Sequence, residues 1–170
     1  MGALQKKLCM LGRYGVGKTS LVARYVHSIF SPRYHTTVGV KINKKQLELD
    51  GRAVTLMLWD IHGEDDQQTI RPAYLRGAAG YALVADGTRR STLAGIDSIH
   101  QRAQAQLGPV PFVVAFNKLD LQADWELTQE DAHSWRARPG CAGLFMTSAK
   151  TGARVEDMLR ALARAAVEGR

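Results

Sequence analysis

A glycine-rich segment close to the N-terminus constrains the fold more than any other part of the chain. Residues 12–19 read Gly-Arg-Tyr-Gly-Val-Gly-Lys-Thr, which matches the pattern Gly-x-x-x-x-Gly-Lys-[Ser/Thr] at every fixed position. The run before it is apolar, as in a buried strand, and residues 20–29 after it have the apolar spacing of a helix. Glycines let the backbone N–H groups of such a loop turn inward around phosphate oxygens, at a helix N-terminus that favours negative charge. The alternative is an ordinary glycine-rich turn between a strand and a helix.

Two side chains at the end of this phosphate loop carry groups that suit a phosphate and its metal ion. Lys18 has the reach to contact the terminal phosphates of a nucleotide. The Thr19 hydroxyl is a hard oxygen ligand that suits Mg²⁺, an ion that keeps most of its waters and needs few ligands from the protein. The loop therefore predicts a phosphate site with Mg²⁺, but it does not indicate which base is bound.

Short apolar runs alternate with helical patterns along the rest of the chain. Helical spacing starts near Ser91, Thr128 and Val155, and the sequence Asp-Gly at residues 50–51 predicts a hairpin between two antiparallel strands. This order predicts the α/β class: a six-stranded, mostly parallel sheet with one antiparallel strand, helices on both faces, and ligands at the carboxyl ends of the strands. The predicted strands are residues 4–11, 40–49, 53–60, 80–86, 111–117 and 144–147.

Composition limits the remaining classes of function. A length of 170 residues, 45% of them hydrophobic, predicts one domain over residues 1–170. No stretch approaches the roughly 18 apolar residues of a membrane helix, and neither end carries a lipidation pattern, so we expect a cytoplasmic protein without an intrinsic lipid anchor. The net charge of +7 comes from scattered arginines rather than a dense basic run, so we expect no nucleic-acid partner. Cys9 and Cys141 are expected to be reduced.

A second motif follows the third predicted strand. The chain there reads Asp-Ile-His-Gly, which places Asp60 and Gly63 at the sheet edge where the phosphate loop also lies. The Asp60 carboxylate is suited to holding Mg²⁺ through a water, and the flexible Gly63 is suited to donating its N–H to the terminal phosphate. Because this spacing is also common in turns, it predicts these roles only in combination with the other motifs.

A third and a fourth motif follow the last two predicted strands. In Asn117-Lys118-Leu119-Asp120, the Asp120 carboxylate only accepts hydrogen bonds, so it can pair with the two adjacent donors of guanine, a pair that adenine lacks. Lys118 is expected to lie across the base plane and Asn117 to tie this segment to neighbouring loops. Residues 147–150, Thr-Ser-Ala-Lys, offer a backbone N–H to the guanine carbonyl oxygen. Taken alone, the third motif also fits a solvated loop at a strand end, but all four in order predict a guanine-nucleotide site.

With these motifs the chain resembles the Ras superfamily of small GTPases from end to end. Residues 34–40, Tyr-His-Thr-Thr-Val-Gly-Val, and 72–78, Pro-Ala-Tyr-Leu-Arg-Gly-Ala, are similar to segments of its Rab branch. The resemblance implies the P-loop NTPase fold, with Thr37 closing over Mg²⁺ and the γ-phosphate in the GTP state. It also implies that Phe30 packs on the guanine ring, for which the alternative is a core aromatic that closes the first helix. Switch segments 33–40 and 63–76 would then be read by effectors, an exchange factor and an activating protein.

The motifs and the resemblance together predict a set of site residues. The predicted Mg²⁺ ligands are Thr19, Thr37 and Asp60, and the residues assigned to the hydrolytic step are Lys18, Tyr14 and Glu64. The predicted contacts to GTP or GDP are Gly15, Val16, Gly17, Lys18, Thr19, Ser20, Phe30, Thr37, Gly63, Asn117, Lys118, Asp120, Ser148, Ala149 and Lys150.

Two residues depart from the family pattern near the γ-phosphate. Ras-like proteins usually carry Gln after the glycine of Asp-x-x-Gly, where this chain has Glu64. A carboxylate keeps the acceptor role, but it loses the donor and adds negative charge, so the direction of the effect on hydrolysis stays open. Tyr14 occupies space that an incoming arginine finger would need, which predicts slow turnover and a poor response to a Ras-type activating protein. For His62 we favour a polar filler over a pH-sensitive neighbour.

The sequence therefore predicts a guanine-nucleotide-dependent switch that hydrolyses GTP slowly. A non-hydrolysing scaffold held in one nucleotide state is an alternative, supported by Tyr14 and Glu64. A third hypothesis is an ATP-dependent kinase or motor, which requires the match of residues 117–120 to a guanine-binding motif to be a coincidence.

Overall fold

A six-stranded sheet organises the computed structural model, which describes residues 2–32 and 37–169. The strands lie side by side in the order β2-β3-β1-β4-β5-β6. All neighbouring pairs are parallel except β2 and β3, which the hairpin at Asp50 and Gly51 joins in antiparallel register. The predicted fold class is confirmed. The strands are β1 (Leu4–Gly12), β2 (Val40–Leu49), β3 (Arg52–Ile61), β4 (Gly80–Asp86), β5 (Phe112–Asn117) and β6 (Cys141–Met146).

Helices connect the parallel strands. The observed α4 begins where predicted, because the Thr128 side chain accepts the Asp131 N–H while the Asp131 carboxylate accepts the Thr128 N–H. Two short elements were not predicted, since four to six residues carry no readable periodicity: α2 and a 3₁₀ segment, Leu119–Asp124. The helices are α1 (Lys18–His27), α2 (Pro72–Leu75), α3 (Ser91–Leu107), α4 (Gln129–Arg136) and α5 (Val155–Glu168).

Two predicted boundaries were wrong. Helix α1 ends at His27 because Ser28 adopts a left-handed backbone conformation, with φ of 55°, so Ile29 lies outside the helix and is exposed. Strand β6 begins at Cys141, three residues before the predicted start, and its register with β5 is irregular near Phe112. The small residues at the start of β6 hid its beginning from an apolar pattern.

Each face of the sheet has its own hydrophobic core. Alternate residues of β1 divide between them: Leu8 and Met10 pack under α1 and α5, whereas Cys9 and Leu11 pack under α2, α3 and α4. Burying the strands on both faces leaves their carboxyl ends as the open edge where the loops meet.

Both cysteines are free thiols, as predicted. Burial raises the pKa of the Cys9 thiol to about 12, with Lys7 opposing the shift. Within residues 2–32 and 37–169, no helix has the length and apolar character that a membrane crossing requires.

The phosphate loop also contacts helix α3 directly. The Arg13 side chain lies over Gly95 so closely that a Cβ on this glycine would sit 2.4 Å from Arg13 Cγ. The Arg13 guanidinium then reaches Asp66 at 3.2 Å. Space for this crossing exists because residue 95 has no side chain.

Candidate functional site

A cavity of about 240 Å³ opens at the carboxyl ends of β1, β3 and β5. Most of the predicted nucleotide contacts line it, together with Tyr14. Val16, Asp60, Glu64 and Ser148 do not line it, although they were predicted as site residues. Residues 33–36 of the first predicted switch segment lie outside the described residues. The described lining is Tyr14, Gly15, Gly17, Lys18, Thr19, Ser20, Phe30, Ser31, Pro32, Thr37, Ile61, Gly63, Asn117, Lys118, Asp120, Leu121, Ala149 and Lys150.

Lys18 lies at the base of the phosphate loop. It is the first residue of α1, and its Nζ lies 3.4 Å from the Gly12 carbonyl oxygen and 3.3 Å from that of Arg13. Burial lowers the pKa of Lys18 to about 8, while the charges of Asp60 and Glu64 oppose the shift. A phosphate in the cavity would add negative charge beside the ammonium group and so favour its protonated form.

Three oxygen-bearing side chains meet at the N-terminus of α1. The Thr19 hydroxyl donates to Asp60 Oδ2 at 2.6 Å, and its oxygen lies 2.7 Å from that of Thr37. The other carboxylate oxygen, Asp60 Oδ1, is buried without a hydrogen-bond partner among the described residues. Burial raises the pKa of Asp60, partly opposed by these hydroxyls and by Lys18. A hard divalent cation would satisfy the orphaned oxygen, so these residues fit Mg²⁺.

Asp120 and Ser148 lie at the end of the cavity that is predicted to take the guanine base, called the base end below. Ser148 is buried behind Asp120, and its hydroxyl donates to Asp120 Oδ1 at 2.6 Å. Ser148 therefore orients the carboxylate rather than lining the cavity itself. The following residues are tied to α1, because Arg24 donates to the carbonyl oxygens of Ala149 and Lys150.

Asn117 joins the base end to the phosphate loop, as predicted. Its amide nitrogen donates to the Val16 carbonyl oxygen at 2.9 Å, and its amide oxygen accepts the Thr147 hydroxyl at 3.0 Å. Val16 therefore contributes its backbone, while its side chain is buried in the core. Gly17 permits this close approach, since its φ is +102° and a Cβ would lie 2.3 Å from the Asn117 amide nitrogen.

Two residues that sequence reasoning missed hold Lys118 and Tyr14 in place. Asp86 is buried at the end of β4 and pairs with Lys118 at 2.8 Å and with Arg89 at 2.9 Å. Lys118 also donates to the Gly15 carbonyl oxygen, and Arg89 to that of Tyr14, each at 2.9 Å. Burial opposes ionisation of Asp86, but hydrogen bonds from Lys118, Thr88 and Arg89 outweigh it and hold its pKa below the usual range. The sequence signal that could have identified Asp86 is its position at the end of a strand, at the same sheet edge as Asp60.

Glu64 is turned toward helix α3 rather than the cavity. Its carboxylate accepts two hydrogen bonds from the Arg102 guanidinium, at 2.6 and 2.7 Å, and one from the Ile70 N–H at 2.8 Å. The predicted action of Glu64 on an attacking water therefore requires a rearrangement of this side chain. Tyr14 lines the cavity and is 43% exposed, and its exclusion of an incoming arginine stays a prediction. His62 is buried edge-on against Tyr74, which fits the filler role.

A phosphate loop at a helix start, an orphaned carboxylate oxygen beside two hydroxyls and an oriented aspartate at the far end define a P-loop nucleotide-binding protein. Comparison with known proteins identifies the family within this class. The Ras family model matches residues 7–168, and the chain belongs to the Ras family. It is accordingly a small GTPase, a GTP-binding switch protein that hydrolyses GTP.

The relatives among known proteins include Rab proteins and a protein named for GTP binding. The chain is 37% identical over 167 residues to the Ras-related protein Rab-7a of Dictyostelium discoideum, covering 95% of this chain and 82% of that protein. It is 34% identical over 168 residues to the Ras-related protein Rab7 of Vigna aconitifolia, with the same coverage. The GTP-binding protein yptV5 of Volvox carteri is 34% identical over 167 residues, again covering 95% and 82%. The predicted resemblance to the Rab-like branch is confirmed.

Proposed function

We propose that this chain, as one domain over residues 1–170, binds GTP or GDP with Mg²⁺ in the cavity described above and acts as a slow molecular switch. The observation that carries the proposal is the oriented carboxylate of Asp120, held by Ser148 at 2.6 Å in the same cavity as Lys18. An aspartate fixed in this way offers two acceptor oxygens to the paired donors of guanine. Phe30 and Lys118 also line this end and are proposed to contact the faces of the base.

The Mg²⁺ proposal is supported by the oxygen cluster at the start of α1. Thr19 and Thr37 would supply hydroxyl ligands, and Asp60 would hold the ion through a water. Bound there, Mg²⁺ would neutralise charge on the β- and γ-phosphates. Lys18 would contact the same phosphates, and the Gly63 N–H would donate to the terminal one.

The two switch segments 33–40 and 63–76 are proposed to be the surfaces that effectors, an exchange factor and an activating protein contact. The described part of the first segment bears on the site through Thr37, while Val38 beside it is 90% exposed. The second segment begins at Gly63, which lines the cavity, and it contains α2. Both segments therefore connect an exposed surface to the end of the cavity that is proposed to hold the γ-phosphate.

One observation favours a second candidate role, that of a scaffold which stays in the GTP state for long periods. The carboxylate of Glu64 is engaged by Arg102, so no side chain at that position faces the cavity to orient water. Tyr14 adds a steric obstacle to a partner's arginine. Both candidates require the same nucleotide site, and they differ only in the rate of hydrolysis.

Two measurements on the purified chain test the proposal. Displacement of a fluorescent GDP analogue should be efficient with GTP and GDP, and weaker by several orders of magnitude with ATP, because adenine leaves the Asp120 acceptors unmatched. Equal displacement by ATP would refute the guanine site. Single-turnover phosphate release should be slow, at roughly 10⁻⁴ per second as for unassisted Ras. No release over hours would favour the scaffold, and a sharp acceleration by a Ras-type activating protein would contradict the role given to Tyr14.

A further inference from the structure

Glu64 is fixed at its backbone as firmly as at its side chain. The Tyr14 N–H donates to the Glu64 carbonyl oxygen at 2.9 Å, and the Glu64 N–H donates to that of Gly12 at 3.1 Å. The preceding Gly63 lies so close to the phosphate loop that a Cβ on it would sit 2.5 Å from Tyr14 Cα. The main chain at residue 64 is therefore held beside the cavity, and only the direction of the side chain decides whether a carboxylate enters it.

The direction of that side chain is set from helix α3. Arg102 binds both carboxylate oxygens of Glu64, and the side chain of Glu64 is 5% exposed whereas that of Arg102 is 44% exposed. Burial by itself raises the pKa of the Glu64 carboxyl, but hydrogen bonds from Arg102 and the Ile70 backbone outweigh it and hold the pKa below its usual range. The buried carboxylate is thus ionised, and its counter-charge is accessible from the protein surface.

Residues 37–39 of the first switch segment lie against the cavity and the strand that ends beside it. Thr37 lies 2.7 Å from Thr19 at the proposed Mg²⁺ site, and the His62 N–H donates to the Gly39 carbonyl oxygen at 2.9 Å. These contacts of Thr37 and Gly39 therefore coexist with a Glu64 side chain that faces away from the cavity. The direction of Glu64 therefore depends on a separate contact, the one to Arg102.

We propose that Arg102 is a positioning residue that holds Glu64 out of the cavity, so that GTP hydrolysis waits for this ion pair to open. The inference rests on the proposed function. When the pair opens, the Glu64 carboxylate turns into the cavity, where the Lys18 ammonium provides a compensating charge, and it accepts a hydrogen bond from the attacking water. The water oxygen forms a bond to the γ-phosphorus as the bond to the β–γ bridging oxygen breaks. The electron pair of that bond leaves with GDP, and both hydrogens of the water end on inorganic phosphate.

Removing Arg102 should favour the orientation of Glu64 in which its carboxylate enters the cavity. A buried carboxylate that has lost its partner is strongly destabilised. The cavity contains the Lys18 ammonium group, and the Gly12 carbonyl oxygen that accepts the Glu64 N–H lies 3.4 Å from the Lys18 Nζ. An unpaired Glu64 therefore lowers its free energy by turning toward Lys18.

The test is a double-mutant cycle on the complete chain. Binding of GTP is measured first by displacement of fluorescent GDP, and single-turnover release of phosphate is then measured for the wild type, Arg102→Gln, Glu64→Ala and the double variant. We expect Arg102→Gln to release phosphate about tenfold faster or more, a gain within the range of general acid–base assistance. In the Glu64→Ala background the same substitution should change nothing, because no carboxylate is present to be released. Arg102→Lys, which keeps the charge without the two-pronged contact, should lie between Arg102→Gln and the wild type.

Arg52→Gln serves as the charge-matched control, because Arg52 is exposed at the start of β3, in the hairpin with β2. It should leave the rate unchanged. Thermal unfolding of each variant shows that the chain is folded, and Arg102→Lys carries the test if Arg102→Gln does not fold. A rate that stays constant or falls on loss of Arg102 would overturn the proposal, as would an equal gain with and without Glu64. Failure of the proposed function would appear earlier and separately, as absence of GTP binding in the wild type.

Discussion

Replacing Asp120 with asparagine should change the base preference of the cavity from guanine to xanthine. The Ser148 hydroxyl donates to Asp120 Oδ1 at 2.6 Å, so the amide oxygen of an asparagine is expected to keep that position. The amide nitrogen then replaces Oδ2, which converts one acceptor of the site into a donor. Guanine would present a donor to this donor, whereas the second carbonyl oxygen of xanthine would accept from it.

The size of the effect follows from the number of hydrogen bonds affected. Hydrogen bonds to a charged group contribute about 1.5–3 kcal/mol each, and two of them amount to about 3–6 kcal/mol. At about 1.36 kcal/mol per factor of ten, the loss in GDP affinity is between about 10² and 10⁴. Because Asp120 is exposed in the cavity without nucleotide, we expect the lower end, about 10²-fold.

Displacement of a fluorescent GDP analogue by GDP and by xanthosine diphosphate measures both sides of this exchange. Asp124→Asn is the matched control, because it makes the same chemical change on an exposed residue of the same 3₁₀ segment. The control should bind GDP like the wild type. If Asp120→Asn retained GDP affinity within about threefold, or gained nothing for xanthosine diphosphate, Asp120 would not be the base reader.

Two further predictions concern the metal site and acid stability. Asp60→Ala should abolish the dependence of GDP release on Mg²⁺, so that a chelator, which should speed release from the wild type about tenfold or more, leaves the variant unchanged; a wild type insensitive to the chelator would contradict the Mg²⁺ site. His100 is buried, and its Nδ1 lies 3.0 Å from the Tyr81 hydroxyl, which accepts from Gln104 and is therefore expected to donate to the imidazole. Burial and then the Arg138 charge lower the pKa of His100, so its contribution to stability is complete above the unfolded pKa of about 6.5 and is lost as the pH falls below it. The thermal midpoint should drop more between pH 7.5 and 5.0 in the wild type than in His100→Gln, and equal drops would refute the assignment.

The element order and most of the residues that line the cavity could be predicted, because each depends on local sequence. Val40–Leu49 and Ser91–Leu107 were predicted at their observed bounds, since a hairpin dipeptide and a long periodic run are signals carried by neighbouring residues. The motif residues Lys18, Thr19 and Asp120 meet in one cavity because parallel strands place their carboxyl ends at the same edge.

The direction of individual side chains could not be predicted in the same way. Glu64 stands at the position where the family pattern places a catalytic group, yet its partner Arg102 belongs to a helix whose periodicity indicates burial and nothing about pairing. Asp86 and Arg89 also depend on the fold, because their contacts to Lys118 and Tyr14 join segments that are distant in sequence. Hydrogen bonds between remote residues leave no periodic trace in the chain.

The crossing of Arg13 over Gly95 has a consequence for how this chain can vary over time. With a prospective Cβ at 2.4 Å from the arginine side chain, any larger residue at position 95 requires a smaller or differently directed one at position 13. The two positions are therefore expected to be inherited as a correlated pair. A lineage that loses the arginine frees helix α3 to accept a side chain there, and one that keeps the arginine in its present direction must keep the glycine.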